Sequence, residues 1–88
     1  MAIEEVIDRA VMLRQTIEIE YRTRSGNIFT CEISDIAYSQ YYGGGYIQAY
    51  RTDTGEERTF KVSRIIKVNG HSFSRIFWNQ IGDNFNRI

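Results

Sequence analysis

The sequence contains no proline, one cysteine, one histidine and one tryptophan among 88 residues. Without proline nothing marks a stiff linker, and the length is that of one domain. A lone cysteine, Cys31, excludes an internal disulfide; beside the single His71 it leaves no Cys/His cluster for a structural metal. No metal and no cofactor are expected. Long apolar runs are missing too: no stretch approaches the ~20 consecutive apolar residues of a membrane span, and the N-terminus lacks a signal-peptide layout. No membrane partner is expected, and the cytoplasm is the default address. An excess of charge of one sign is also absent. Eleven basic residues balance eleven acidic ones, which counts against a strongly basic protein that coats DNA without specificity.

What is present is enough for a small core. The chain is 42 % hydrophobic and 14 % aromatic, and each aromatic side chain buries on the order of 150–250 Å². A chain this short buries only about 60–65 % of its unfolded surface. Core packing must hold the fold, with self-association as a further support. The charges are unevenly spread: Arg51, Arg58, Lys61, Arg64 and Lys67 face only Asp53, Glu56 and Glu57 in the same stretch, whereas Glu4, Glu5, Glu18 and Glu20 crowd the first twenty residues. A local basic patch on a neutral chain is compatible with this.

Residues 3–15 place Ile3, Val6, Ile7, Ala10 and Val11 on one helical face, with Glu4, Glu5 and Asp8 where the helix dipole favours negative charge. The period then changes to two. Ile17, Ile19 and Tyr21 alternate with Glu18, Glu20 and Arg22 in a first strand; Ser25-Gly26-Asn27 is a turn signal. In the second strand Phe29, Cys31 and Ile33 share a face, and its length predicts a bulge near Ser34-Asp35. Tyr41-Tyr42-Gly43-Gly44-Gly45 reads as a loop whose glycines predict mobility. Tyr46–Thr52 and Arg58–Val62 form a third and fourth strand around a tight Asp53-Thr54-Gly55 turn. Ser63-Arg64 starts a 3₁₀ turn, Ile65–Val68 is a short fifth strand ended by Asn69-Gly70, and residues 72–88 have helical spacing at Phe73, Ile76, Phe77 and Ile81, with Ser72 or Ser74 as cap. A helix followed by consecutive short strands predicts a mostly-β (α+β) domain: a five-stranded SH3-like or Sm-like barrel between an N-terminal helix (3–15) and a short C-terminal one, with the barrel at 16–69.

A search for catalytic groups finds little. His71 sits beside Gly70 with no partner near it in sequence, and Cys31 shares a face with Phe29 and Ile33 as a small core hydrophobe. The Gly43-Gly44-Gly45 run lacks the Lys-Ser/Thr of a phosphate-binding loop. No residue is assigned a catalytic role, and the chain is not read as an enzyme. Arginines and tyrosines, by contrast, recur together: Tyr21-Arg22, Tyr50-Arg51, and Arg58 and Arg64 flanking the fourth strand. Guanidinium groups fork onto phosphates and rings stack on bases, which suits single-stranded nucleic acid or a nucleotide. The plainer alternative is that the tyrosines fill the core with hydroxyls outward while the arginines pair with Glu18, Glu20, Glu56 and Glu57.

The run from Gln15 to Val68 resembles the WYL domain, a bacterial module with a small Sm-like or SH3-like barrel. Three elements carry the resemblance in order: Ile17-Glu18-Ile19-Glu20-Tyr21-Arg22, Gly45-Tyr46-Ile47-Gln48-Ala49-Tyr50, and Arg58-Thr59-Phe60-Lys61-Val62-Ser63-Arg64-Ile65. Gly45 stands where the family usually has tryptophan, and Ile47 replaces leucine. The resemblance implies a regulatory, ligand-sensing domain of transcription regulators and related systems that binds single-stranded DNA, RNA or a nucleotide-derived signal. Matched by motif, the ligand-binding positions are Tyr21, Arg22, Tyr46, Arg58 and Arg64, with Tyr50 and Arg51 as weaker additions. A 13-residue leading helix is too short for a helix-turn-helix unit, so the chain is expected to act alone, as a homo-oligomer, or on a regulatory partner protein. An alternative is an interaction or assembly module that docks through Phe73, Phe77, Trp78 and Phe85.

Overall fold

The computed structural model describes residues 2–39 and 45–73. It opens with helix α1 (Ile3–Met12), followed by β1 (Ile17–Arg22), β2 (Ile28–Tyr38), β3 (Tyr46–Arg51), β4 (Glu56–Lys61), a 3₁₀ turn (Val62–Arg64), β5 (Ile65–Val68) and β6 (His71–Ser72). Ile3, Ile7 and Ala10 are buried on one face of α1, and the helix packs on β2 and β5. Glu4 and Glu5 lie in its first turn, and the Ala2 amide donates to Glu5 Oε1 at 3.3 Å, covering one of the open donors of a helix start. The helix stops short of residue 15. Arg14 turns left-handed at φ 54, letting the Gln15 amide reach the Ala10 carbonyl at 2.9 Å and the Arg14 amide that of Val11 at 3.4 Å. This closing pattern normally recruits glycine.

All strand pairs are antiparallel, in the order β4-β3-β2-β1-β5-β6. The mostly-β, α+β architecture behind an opening helix is as the sequence predicts. Where five strands were expected to close into a barrel, the described residues form a ladder of six that stays open, with β4 and β6 as its edges. The additional strand comes from Asn69 (φ 51) and Gly70 (φ 78), both left-handed as a two-residue hairpin turn requires. They fold His71 onto Val68 and Ser72 onto Lys67. His71 and Ser72 therefore sit in a strand, not in a turn and a helix cap. The rest of the expected C-terminal helix, residues 74–88, and the glycine loop up to Gly44 lie outside the described residues.

The long second strand carries the expected bulge. Pairing with β3 shifts between Ser34 and Ala37, and Asp35 takes φ 52. One extra residue reverses which side chains point inward, so Cys31 and Ile33 are buried before it and Ile36 after it. The core is chiefly isoleucine: Ile3, Ile7, Ile19, Ile33, Ile47 and Ile65 are fully buried with Val68. Each is worth roughly 1.5–3 kcal/mol of transfer free energy. Among the described aromatics only Phe60 is buried outright. Tyr21 and Phe29 pack against it half-exposed, with ring centroids 5.1 Å apart for Tyr21–Phe60 and 5.7 Å for Tyr21–Phe29.

Candidate functional site

Tyr21 sits near the end of β1, and its hydroxyl accepts the Lys61 amide at 2.9 Å. That bond joins the end of β4 to the end of β1 across the curl of the sheet. The Val62 amide, donating to the Gly45 carbonyl at 2.8 Å, continues the β3–β4 ladder past its last strand pair. The curl leaves a cleft of about 480 Å³ lined by Tyr21, Thr23, Arg24, Tyr46, Thr59, Lys61 and Arg64. A second cleft of about 300 Å³, lined by Arg22, Ser63, Arg64 and Ile66, adjoins it, with Arg64 common to both. The first is within the usual size range of ligand sites.

Its electrostatics are one-sided. Arg24, Lys61 and Arg64 line it, and among the described residues no carboxylate does. Among the described residues no Asp or Glu lies within 4.0 Å of these three cations. Lys61 and Tyr46 are direct cross-strand partners, with the ammonium 5.8 Å from the ring centroid, within cation–π range. Thr59, opposite Gln48, adds a hydroxyl on the same outer face.

Of the residues picked out by sequence, Tyr21, Tyr46 and Arg64 meet in this cleft, and Arg22 lies in the adjoining one. Tyr21 is part of the wall: its ring is held by Phe29 and Phe60 and its hydroxyl by Lys61. The other three are elsewhere. Arg58 pairs with Glu56 at 3.1 Å. Arg51 forks onto Asp53, Nη2 to Oδ2 at 2.6 Å and Nε to Oδ1 at 3.0 Å, and lies over the Phe29 ring at 4.9 Å. This holds the Asp53 carboxyl below its ordinary value, chiefly through the hydrogen bond from Arg51. Tyr50 is exposed and reaches toward Gly55 in the β3–β4 turn. Arg24 and Lys61 were missed by sequence reading. Lys61 belongs to the cleft because its register sets it opposite Tyr46, and Arg24 because the β1–β2 turn folds back on the Thr23 carbonyl and hydroxyl.

The remaining reactive groups are placed apart. Cys31 is buried, and burial pushes its thiol above the ordinary value, the behaviour of a structural cysteine. Tyr38 donates to Asp8 Oδ1 at 2.8 Å, tying β2 to α1. Burial, followed by that bond, pushes its phenol up to about 12. His71 is exposed at the far edge strand, its ring 6.3 Å from that of Phe73. Among the described residues no helix is long and apolar enough to cross a membrane.

The described residues thus form a small α+β module, one antiparallel sheet behind one helix, with a cationic, tyrosine-lined cleft that neither Cys31 nor His71 lines. The WYL domain family model matches residues 2–69, and the chain belongs to the WYL domain family. These are in general regulatory, ligand-sensing and non-catalytic domains. No curated protein and no solved structure matches the chain. At the family's tryptophan position, Gly45 takes φ 86, a left-handed conformation that costs an L side chain roughly 1–2 kcal/mol. The backbone here favours the glycine over the indole.

Proposed function

We propose that the cleft binds a phosphate-bearing ligand, single-stranded nucleic acid or a nucleotide-derived signal, as the sensing step of a regulatory module. The observation that carries this is the convergence of Arg24, Lys61 and Arg64 from three separate elements on one cleft that has no carboxylate among its described lining residues. Like charges brought together and left uncompensated repel one another, and a bound anion relieves that. Arginine forks onto two phosphate oxygens, and lysine serves as a point charge beside them. Among the described residues that line the cleft, stacking rests on Tyr46, because the Tyr21 ring packs on Phe29 and Phe60. The site therefore reads the phosphate more than the base. The reading that the aromatic C-terminal segment is an interaction surface draws no support from the described residues. Of Phe73, Phe77, Trp78 and Phe85 only Phe73 is among them, and it packs against the core.

The test is a fluorescence-anisotropy titration of a labelled single-stranded oligonucleotide, with a nucleoside triphosphate as competitor, at two salt concentrations. Three phosphate contacts on a single strand give a log–log salt slope near −2, so raising salt from about 50 to 200 mM weakens binding on the order of tenfold. Absence of saturable binding to either probe at low salt would sink the proposal.

A further inference from the structure

The smaller cleft has an origin of its own. Successive side chains of a strand point to opposite faces, so Tyr21 lines the larger cleft and Arg22, the last residue of β1, lines the smaller one. Beside them the pairing of β1 with β5 is irregular. Glu20 pairs with Lys67 and Tyr21 with Ile65, which leaves Ile66 as an extra residue on β5. A bulge of this kind re-aims a side chain: Ile65 and Val68 are buried, whereas Ile66 is half-buried and lines the smaller cleft with Arg22, Ser63 and Arg64. Each cleft thus combines cations, a hydroxyl and an uncharged surface, and Arg64 belongs to both. Among the described residues no carboxylate lines the smaller cleft either, and none lies within 4.0 Å of Arg22.

We infer that the two clefts together hold two consecutive phosphates of one nucleic-acid strand, so that the smallest ligand filling the site is a 5′-phosphorylated dinucleotide and not a mononucleotide. This rests on the reading that the larger cleft takes a phosphate. Arg24 and Lys61 hold the first phosphate, Arg22 and the Ser63 hydroxyl hold the next, and Arg64 serves as the shared donor, its fork reaching oxygens of both. Charge favours two phosphates over one. A single phosphate monoester carries at most about two negative charges, whereas Arg22, Arg24, Lys61 and Arg64 line the joined clefts. A nucleoside diphosphate would supply the charge, but it sets its phosphates side by side and offers Ile66 only charged oxygens. A strand separates its phosphates by a sugar, which gives the isoleucine an apolar face to cover.

Amide-detected NMR titrations of the full chain, at low salt to limit screening, test this with three probes: thymidine monophosphate, thymidine diphosphate and the 5′-phosphorylated thymidine dinucleotide. The monophosphate shifts the amides of Arg24, Thr59 and Lys61; the dinucleotide shifts these together with those of Arg22 and Ile66. The dinucleotide binds roughly tenfold tighter or more than the monophosphate, the gain expected from one further charged contact. In Arg22→Ala, a change at an exposed residue, that advantage disappears. In Lys61→Ala both ligands bind more weakly and the advantage survives. Equal affinities for monophosphate and dinucleotide, an advantage that persists in Arg22→Ala, or a diphosphate as tight as the dinucleotide overturns the inference and leaves a phosphate in the larger cleft. No shifts with any of the three probes removes the phosphate reading itself, and the inference with it.

Discussion

The two ends of the β3–β4 hairpin carry the same residue types and treat them oppositely. At the turn, Arg51 is clamped by Asp53 and Arg58 pairs with Glu56; each cation has its acid a strand step away. At the open end, Lys61 lies beside Tyr46 and is joined by Arg24 and Arg64, with no carboxylate among the described residues that line the cleft. A guanidinium beside its own carboxylate is already compensated and adds little attraction for an external anion. Cations gathered without one leave a local positive potential on a chain of zero net charge. The arginines that form the site are distinguished by what stands beside them, not by their spacing.

The sharpest way to break this comparison is to remove one arginine from each end. Arg64→Ala, taking the cation shared by both clefts, should weaken oligonucleotide binding by tenfold or more, since a charged hydrogen-bonded contact is worth about 1.5–3 kcal/mol. Arg58→Ala should change the same affinity by less than about twofold, because an exposed ion pair contributes 0–1 kcal/mol and lies outside the cleft. Both are read by the anisotropy titration, with thermal melts confirming that each variant folds. Equal losses from the two substitutions would mean that binding follows overall charge, not the cleft.

A smaller effect isolates the element that joins the two strands. Tyr21→Phe keeps the ring between Phe29 and Phe60 but removes the acceptor for the Lys61 amide. The expected loss is about 1 kcal/mol of stability by urea denaturation. Amide hydrogen exchange at Lys61 should rise by more than at the buried strands. If protection at Lys61 is unchanged, the sheet's curl does not depend on this bond and the cleft is held open by the 3₁₀ turn alone.

Much of the fold was legible because the local signals agreed with one another. The 3.6-residue period of α1, the alternation in β1 and β3, the excess length of β2 and the glycine turns all survive in the structure. Two boundaries were not legible. Arg14 ends the helix in a left-handed conformation that sequence reading reserves for glycine. β6 pairs through only two residues, too few to show a period. The site was half legible. Alternation showed that Tyr46 faces outward, but what lies opposite it depends on the register of β3 against β4. The hairpin's residues 52–55 set that register, and it put Lys61, not Arg58, beside Tyr46. Arg51 and Arg58 were drawn in by their aromatic neighbours and their motif positions, while the adjacent acids Asp53 and Glu56 are the side chains they pair with.

The subtlest probe of the paired end is its response to acid. The Arg51 hydrogen bond lowers the Asp53 carboxyl from its ordinary value of 3.8. A depressed folded value means that the pair's contribution is fully present above pH 3.8 and is lost as pH falls through the folded value below it. A carbon-detected NMR titration should find Asp53 titrating below 3.8 in the parent and moving back toward 3.8 in Arg51→Ala. Melting temperatures of the parent and Arg51→Ala should differ above that pH and converge below it. They should not quite meet, because the guanidinium also covers the Phe29 ring, a contact that acid leaves intact. An Asp53 that titrates at its ordinary value in the parent would show that the clamp does not hold in solution. Arg51 would then join the uncompensated cations, and the contrast between the two ends of the hairpin would disappear.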